Sequence, residues 1–447
     1  MNSKINKNCE CEFCKNKKDF ELPSDIIDAL IDDELIIFAG AGVSTESKKV
    51  YPYTLYREIK NELEIEDNLS FSKLMSKFCE KTNGRAKLLQ KIKNRFDYVT
   101  AFPELERTAS EFHRELSTIY PIQNIITTNW DDLFERYCGA TPIVFPEDFV
   151  FWNMPGRKVL KIHGSINNYG SIVATEDDYA KCQERLNSGL IGSSLKLMLA
   201  TKYIIFIGYS FGDEDFNSIY NSLIKEMNGL IPHAYIVTLD ESAVEKFKDM
   251  NITPIITDAT YFITVLKEHL IARNLLIPDD EFSSVARMLF EVEEEHSLLS
   301  EAFNIKSYPQ ILYSLCYQDG LIHAFERILA LKRTGNYSHA CAIGNTLRAY
   351  EKKRKEKLKK KVYHDVAYIE GYMNGLVFLL MDEEERSGLP LYFVFGYDHS
   401  ISTLDEYKSI IQNAKELHKT SYEYASKYVS HITNESGDIV FHHTPFL

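Results

Sequence analysis

The sequence predicts an α/β fold, a doubly wound parallel sheet over residues 21–275, followed by a second, mainly α-helical C-terminal domain over residues 280–447. Three observations carry this expectation. Short apolar runs alternate with helical stretches through the first part of the chain. Several of those runs end in Gly, Asn, His, Ser or Asp, and the strand pattern stops beyond Pro278-Asp279-Asp280. Runs that are apolar at consecutive positions suit parallel strands buried on both faces. In open α/β sheets the ligand lies beyond the carboxyl ends of the strands, so polar residues gathered there make a nucleotide-like pocket.

The first strand and its turn organise the rest. Leu35-Ile36-Ile37-Phe38-Ala39 breaks into Gly40-Ala41-Gly42-Val43-Ser44-Thr45, where the backbone can turn sharply and approach a phosphate. A helix opening behind the turn would aim free N–H groups at an anion. Thr45 stands where a third glycine would complete G-x-G-x-x-G, which counts against a hydride-transferring dehydrogenase.

Before that strand, residues 1–20 read as a polar tail, and Ser24 reads as the N-cap of a short helix. Cys9, Cys11 and Cys14 form a C-x-C-x-x-C cluster without the second pair that zinc usually takes, so no metal is expected. Residues 64–120 read as a helical insertion whose charges form a solvated face. Further strands are expected at 124–126, 159–162, 203–207 and 234–237, with an edge strand at 251–256. Thr175 followed by three acids marks a helix start. In the second half, helices are expected around Leu289/Phe290, Ile311/Leu315, Phe325/Ile328 and Tyr368/Tyr372, with short strands at 392–395 and 439–441. The basic run 352–361 reads as an exposed helix face, or else as a surface for an acidic partner or nucleic acid.

Composition narrows the function classes. The formal net charge of -14 over 447 residues argues against direct nucleic-acid binding. No apolar run is long enough to span a membrane and no export signal is visible, so a cytoplasmic protein with reduced thiols is expected.

Asn129 and His163 each follow a buried run by one or two residues, which would hold both over the sheet end. Gly40-Ala41-Gly42-Val43-Ser44, Thr127-Thr128-Asn129-Trp130-Asp131 and Ile162-His163-Gly164 resemble, in that order, the G-A-G-x-S, T-Q-N-x-D and L-H-G motifs of sirtuins. Gly208-Tyr209-Ser210 resembles the later G-x-S segment. The resemblance covers residues 25–270 and implies an NAD-binding, Rossmann-like domain. It implies that Asn129 holds the nicotinamide ribose, Asp131 supports that loop and His163 is the general base. Gly40, Ala41, Gly42, Ser44 and Thr45 would cradle the pyrophosphate. Pro52, Thr128, Gly208 and Ser210 would join the dinucleotide contacts, and Asp240 would meet the adenosine end.

Departures from the pattern matter equally. The zinc module of the protein deacylases is missing, since Cys182 is the sole cysteine between His163 and Gly208. The P-D-F-R element is also absent, because Pro52 is followed by Tyr53-Thr54-Leu55. The pattern is similar to zinc-free bacterial sirtuin-like NADases of anti-phage defence. It implies hydrolysis of NAD+ to nicotinamide and ADP-ribose, with water as acceptor. It also implies gating by a homo-oligomer or by a partner such as a HerA-type hexameric ATPase. Two other readings stay open: an NAD-dependent deacylase or ADP-ribosyltransferase, and a non-catalytic module that senses NAD or a related nucleotide.

Overall fold

The computed structural model describes residues 11–47, 49–209, 214–248, 250–433 and 441–446. Seven strands make one sheet: β1 (Leu35–Ala39), β2 (Asn124–Thr127), β3 (Thr141–Ile143), β4 (Lys158–Lys161), β5 (Tyr203–Ile207), β6 (Ala234–Thr238) and β7 (Ile252–Ile256). Their order is β3-β4-β2-β1-β5-β6-β7, with every neighbouring pair parallel. With β3 set aside, this is the 3-2-1-4-5-6 order of a Rossmann-like doubly wound sheet, and the winding reverses between β1 and β5. Ile37 pairs with Ile125 on one side and Ile205 on the other, and all five residues of β1 are buried. A central parallel strand needs that continuous apolar run because helices cover both faces of the sheet.

The strand β3 was not expected from the sequence. It has three residues and contains Pro142, too short and too interrupted to show a period. Both edge strands carry a proline, Pro142 in β3 and Pro254 in β7, where one unpaired N–H position is tolerated.

Other expectations at the N-terminal side are corrected. The first long helix is Ser24–Ile31 with Pro23 as its cap residue, so Ser24 lies inside the helix and caps nothing. Within the expected polar tail, residues 16–20 pack against the last strand and helix of the sheet domain. The carbonyl of Asn16 accepts the Asp258 amide at 2.9 Å, that of Lys18 accepts the Thr257 hydroxyl at 2.8 Å, and Phe20 stacks on Phe262. Thr175 does cap Glu176–Ser188, in a capping box with Asp178.

Two compact units are present: the described residues up to Asn274 together with Arg333–Gly335, and Leu275–Lys332 together with the residues from Asn336 onward. The second unit is built on helices Asp279–Ala302, Ile311–Leu331, Ala340–Lys359 and Tyr363–Phe378. Ile311–Leu331 and Tyr363–Phe378 cross where Gly320 and Gly371 remove side chains. A Cβ on Gly320 would lie 2.1 Å from the Tyr368 carbonyl oxygen, and one on Gly371 would lie 1.8 Å from that of Tyr317. Phe290, expected in an apolar group, is exposed. Residues 392–395 form no strand; Tyr392 makes a single antiparallel bridge with Ile401. Residues 439 and 440 lie outside the described residues, and Phe441 is in no strand. The basic run closes helix Ala340–Lys359, where Arg354 pairs with Glu351 and Glu370 and Lys357 with Asp365. Among the described residues, no helix is long and apolar enough to cross a membrane.

Candidate functional site

The glycine turn sits where the winding reverses, at the carboxyl ends of β1 and β5. Gly40 donates its amide to Ile207 at 2.9 Å and Gly42 donates to Gly208 at 3.1 Å. A Cβ on Gly40 would meet the Gly208 carbonyl oxygen at 2.4 Å. Gly208 itself has φ +63°, a conformation that favours glycine. The turn does not open a long helix. Ala41–Val43 is a single 3₁₀ turn, and the next α-helix begins at Leu55, capped by the Thr54 hydroxyl. Val43 and Ser44 also donate their amides within the turn, to Gly40 and Ala41. The expected helix dipole behind the turn is therefore replaced by a short, internally bonded loop.

The end of β2 is tied to the end of β1. The Thr127 hydroxyl donates to the Ala39 carbonyl at 2.9 Å and accepts the Asn129 amide at 3.0 Å. This places Asn129, 5% exposed, with its Nδ2 donating to Gly40 O at 3.0 Å and to Ser44 Oγ at 3.4 Å. Its Oδ1 is buried and makes no hydrogen bond within the protein. Asp131 accepts the Leu133 amide at 3.2 Å, and its carbonyl receives the Lys161 ammonium. Lys161 also pairs with Glu135 at 3.0 Å; burial raises the Glu135 carboxyl above its usual range, against the pull of Lys161.

Ala41, Ser44, Thr45, Thr128, Asn129 and Asp131 line one cavity of about 390 Å³. That volume falls within the range of small-molecule sites, roughly 300–1,000 Å³. The opposite wall comes from the helical insertion and was missed from the sequence: Phe71, Ile92, Arg95 and Phe96, with Trp130 beside Asn129. Arg95 is buried, which corrects the reading of the insertion as merely solvated. Its guanidinium donates to Glu46 Oε1 at 2.8 Å, to Glu58 Oε2 at 3.1 Å and to the Tyr53 carbonyl at 3.1 Å, and lies 4.0 Å over the Tyr51 ring. Glu46 spends its other oxygen on the Leu55 amide. The loop between the glycine turn and the first helix of the insertion is thus strapped to helix Gly84–Ala101. Leu88, Ile92, Arg95 and Val99 form one buried helical stripe with the arginine inside it; the helical spacing is legible in the sequence, but its docking partners are not.

Six of the expected positions among the described residues do not line this cavity: Gly40 and Gly42, which lie in the turn beside Ala41 and Ser44, and His163, Pro52, Gly208 and Asp240. His163 follows β4, 4% exposed, with its ring edge-on to Tyr179 at 5.1 Å and its carbonyl accepting the Val173 amide at 3.0 Å. Pro52 is on an exposed loop, and Gly208 lies beneath the glycine turn. Asp240 is exposed at the end of β6, where its carboxylate accepts the Ser242 amide at 3.0 Å and the Ser242 hydroxyl at 2.7 Å; these bonds lower its pKa. Ser210 lies outside the described residues.

A parallel sheet wound 3-2-1-4-5-6 with a polar-ended cavity beside its reversal defines a Rossmann-like ligand-binding domain. Residues 123–255 match the family described as SIR2-like domain. It is 33% identical over 210 residues to NAD(+) hydrolase ThsA of Cytobacillus dafuensis, covering 45% of this chain and 40% of that protein. It is 25% identical over 249 residues to Defense-associated sirtuin 2 of Bacillus subtilis, covering 50% of this chain and 23% of that one. With NAD(+) hydrolase ThsA of Acinetobacter baumannii the identity is 23% over 285 residues, 60% of this chain and 54% of the relative. The matched segments thus span about half or less of each of these relatives.

Proposed function

We propose that this chain is an NAD+ hydrolase that cleaves the nicotinamide–ribose bond and lowers NAD+ in anti-phage defence. The names of the relatives support the substrate, and Asn129 carries the reading on this chain. Its amide nitrogen is committed to Gly40 and Ser44, which leaves the buried Oδ1 on the cavity wall to accept a ribose hydroxyl. In the reaction the bond between ribose C1′ and the nicotinamide nitrogen breaks, and its electron pair neutralises the pyridinium. The ribose passes through an oxocarbenium-like state, water adds at C1′, and one proton is released. His163 is assigned as the base that takes this proton, a contribution of about 10²–10⁴-fold. Asp131 holds the Asn129 loop, and Ser44, Thr45 and Thr128 supply hydroxyl donors beside it. Gating by homo-oligomerisation or by a HerA-type ATPase partner in the cytoplasm belongs to the same proposal, as does a domain division near residues 275–280.

The position of His163 away from the cavity lining favours one competing reading, a module that binds NAD+ and senses it. Nicotinamide and ADP-ribose release by the purified chain, beside Asn129→Ala and His163→Ala, separates the two. Turnover lost in both variants supports hydrolysis with these roles. Turnover lost only in Asn129→Ala removes His163 as the base, and tight NAD+ binding without turnover in any form leaves the sensor.

A further inference from the structure

The C-terminal unit holds a cluster that the proposed reaction does not use. His296 lies on helix Asp279–Ala302, Asp319 on helix Ile311–Leu331, and His442 on the segment 441–446. Asp319 Oδ1 stands 3.4 Å from His296 Nε2 and 3.2 Å from His442 Nδ1, and the three donor atoms lie within 4.8 Å of one another. We propose that these three side chains form a binding site for a divalent transition metal of the zinc class, which clips the C-terminal segment to the two helices.

The spacing is the first argument. Ligand bonds of about 2.0–2.1 Å at tetrahedral angles put neighbouring donor atoms roughly 3.3–3.4 Å apart. Both contacts to Asp319 lie near that edge; the one from His442 is also within hydrogen-bond reach, whereas the one from His296 is not a hydrogen bond. The second argument is His296, which is 5% exposed and whose Nε2 makes no hydrogen bond within the protein. A buried ring nitrogen aimed at a carboxylate without bonding it is costly unless a third body lies between them. The third is the carboxylate itself. Asp319 Oδ2 accepts the His443 amide at 2.6 Å, which holds the group still with Oδ1 facing both imidazoles.

Two imidazoles and one carboxylate form a three-ligand zinc set with a fourth position for water. The His442 side chain is 64% exposed, so an ion can enter and water can complete the shell. A neighbouring cluster shows the contrast. Asp365 also faces two histidines, His364 at 3.3 Å and His443 at 3.0 Å, but there the Lys357 ammonium occupies its other oxygen. A cation is already in place there. No short motif marks the set, because Asp319 and His442 stand 123 positions apart in the chain.

The test uses the full chain, stripped with a chelator and titrated with Zn²⁺ by calorimetry, and with Co²⁺ as a spectroscopic probe. The expected result is one Zn²⁺ per chain and the visible bands of four-coordinate Co²⁺. Affinity should fall in His442→Ala by more than the roughly 10–100-fold that loss of a supporting group costs. Asp319→Asn should behave likewise. Because His442 is mostly exposed, its variant keeps the bundle folded, which circular dichroism verifies. Zn²⁺ should raise the unfolding temperature of the parent chain and leave that of His442→Ala unchanged. No stoichiometric Zn²⁺ in the parent, or one Zn²⁺ bound equally well by folded His442→Ala, overturns the proposal.

Discussion

Gly40 and Gly208 lie so close that a Cβ on the first would sit 2.4 Å from the carbonyl oxygen of the second. The first glycine of the turn is therefore required by the neighbouring strand end, quite apart from any ligand. Gly40 has φ -104°, an ordinary value, so crowding and not backbone strain selects glycine there. Gly40→Ala must push β1 and β5 apart at their carboxyl ends. We expect a loss of at least about 2 kcal/mol, in the range of overpacked cores, in denaturant unfolding. NAD+ binding should fall with it, since the Asn129 anchor on the Gly40 carbonyl moves too.

Arg95 links the insertion to the loop that follows the glycine turn. Arg95→Met removes the guanidinium from Glu46 and Glu58; Glu58 keeps Lys91 at 2.9 Å, so the loss falls mainly on Glu46, and breaking a buried pair in this way costs about 3 kcal/mol. The double variant Arg95→Met/Glu46→Gln should recover part of that loss. If the two changes add without recovery, the strap is not an electrostatic unit.

Arg157 is 2% exposed, and its guanidinium donates to the carbonyls of Ile122, Ser117, Cys138 and Ile119 at 2.7–3.4 Å. It is thus a brace between the start of β4 and the segments leading into β2 and β3. Arg157→Lys keeps the charge but cannot serve that fan of acceptors from one ammonium. A destabilisation of about 3 kcal/mol is expected, since each abandoned carbonyl costs roughly 1–3 kcal/mol. Thermal unfolding of the purified variant measures it.

His113 is fully buried between Phe112 and Phe134, and burial lowers its pKa from 6.5 to about 4. Its unfolded form takes up a proton near pH 6.5, whereas its folded form resists until about pH 4. Stability from this group is complete above pH 6.5 and falls as pH drops toward 4, by about 3 kcal/mol over that window. Unfolding free energies at pH 7.5 and 4.5 should show the loss. His113→Phe should flatten that part of the profile.

Local pattern was enough for the sheet wherever a strand is central. Leu35–Ala39 and Tyr203–Ile207 are apolar on both faces, because parallel neighbours and covering helices leave them no polar side, and that run is visible in one dimension. Alternation of strand and helix also predicts a doubly wound parallel sheet with a pocket at its strand ends, while the strand order itself is decided by the tertiary structure. Thr141–Ile143 escaped because three residues carry no period. The cavity's second wall escaped for another reason. Phe71, Ile92 and Arg95 reach it through packing of the insertion, and nothing local says where an inserted helix will dock. Arg95 looks like a solvated charge until Glu46, Glu58 and the Tyr53 carbonyl converge on it from elsewhere in the chain. The same holds for Gly40, whose need for a missing Cβ is dictated by Gly208, and for His296, Asp319 and His442, which meet only in the folded helical unit. Burial along one element is written in its own periodicity, but contacts between elements distant in sequence exist only once the chain has closed on itself.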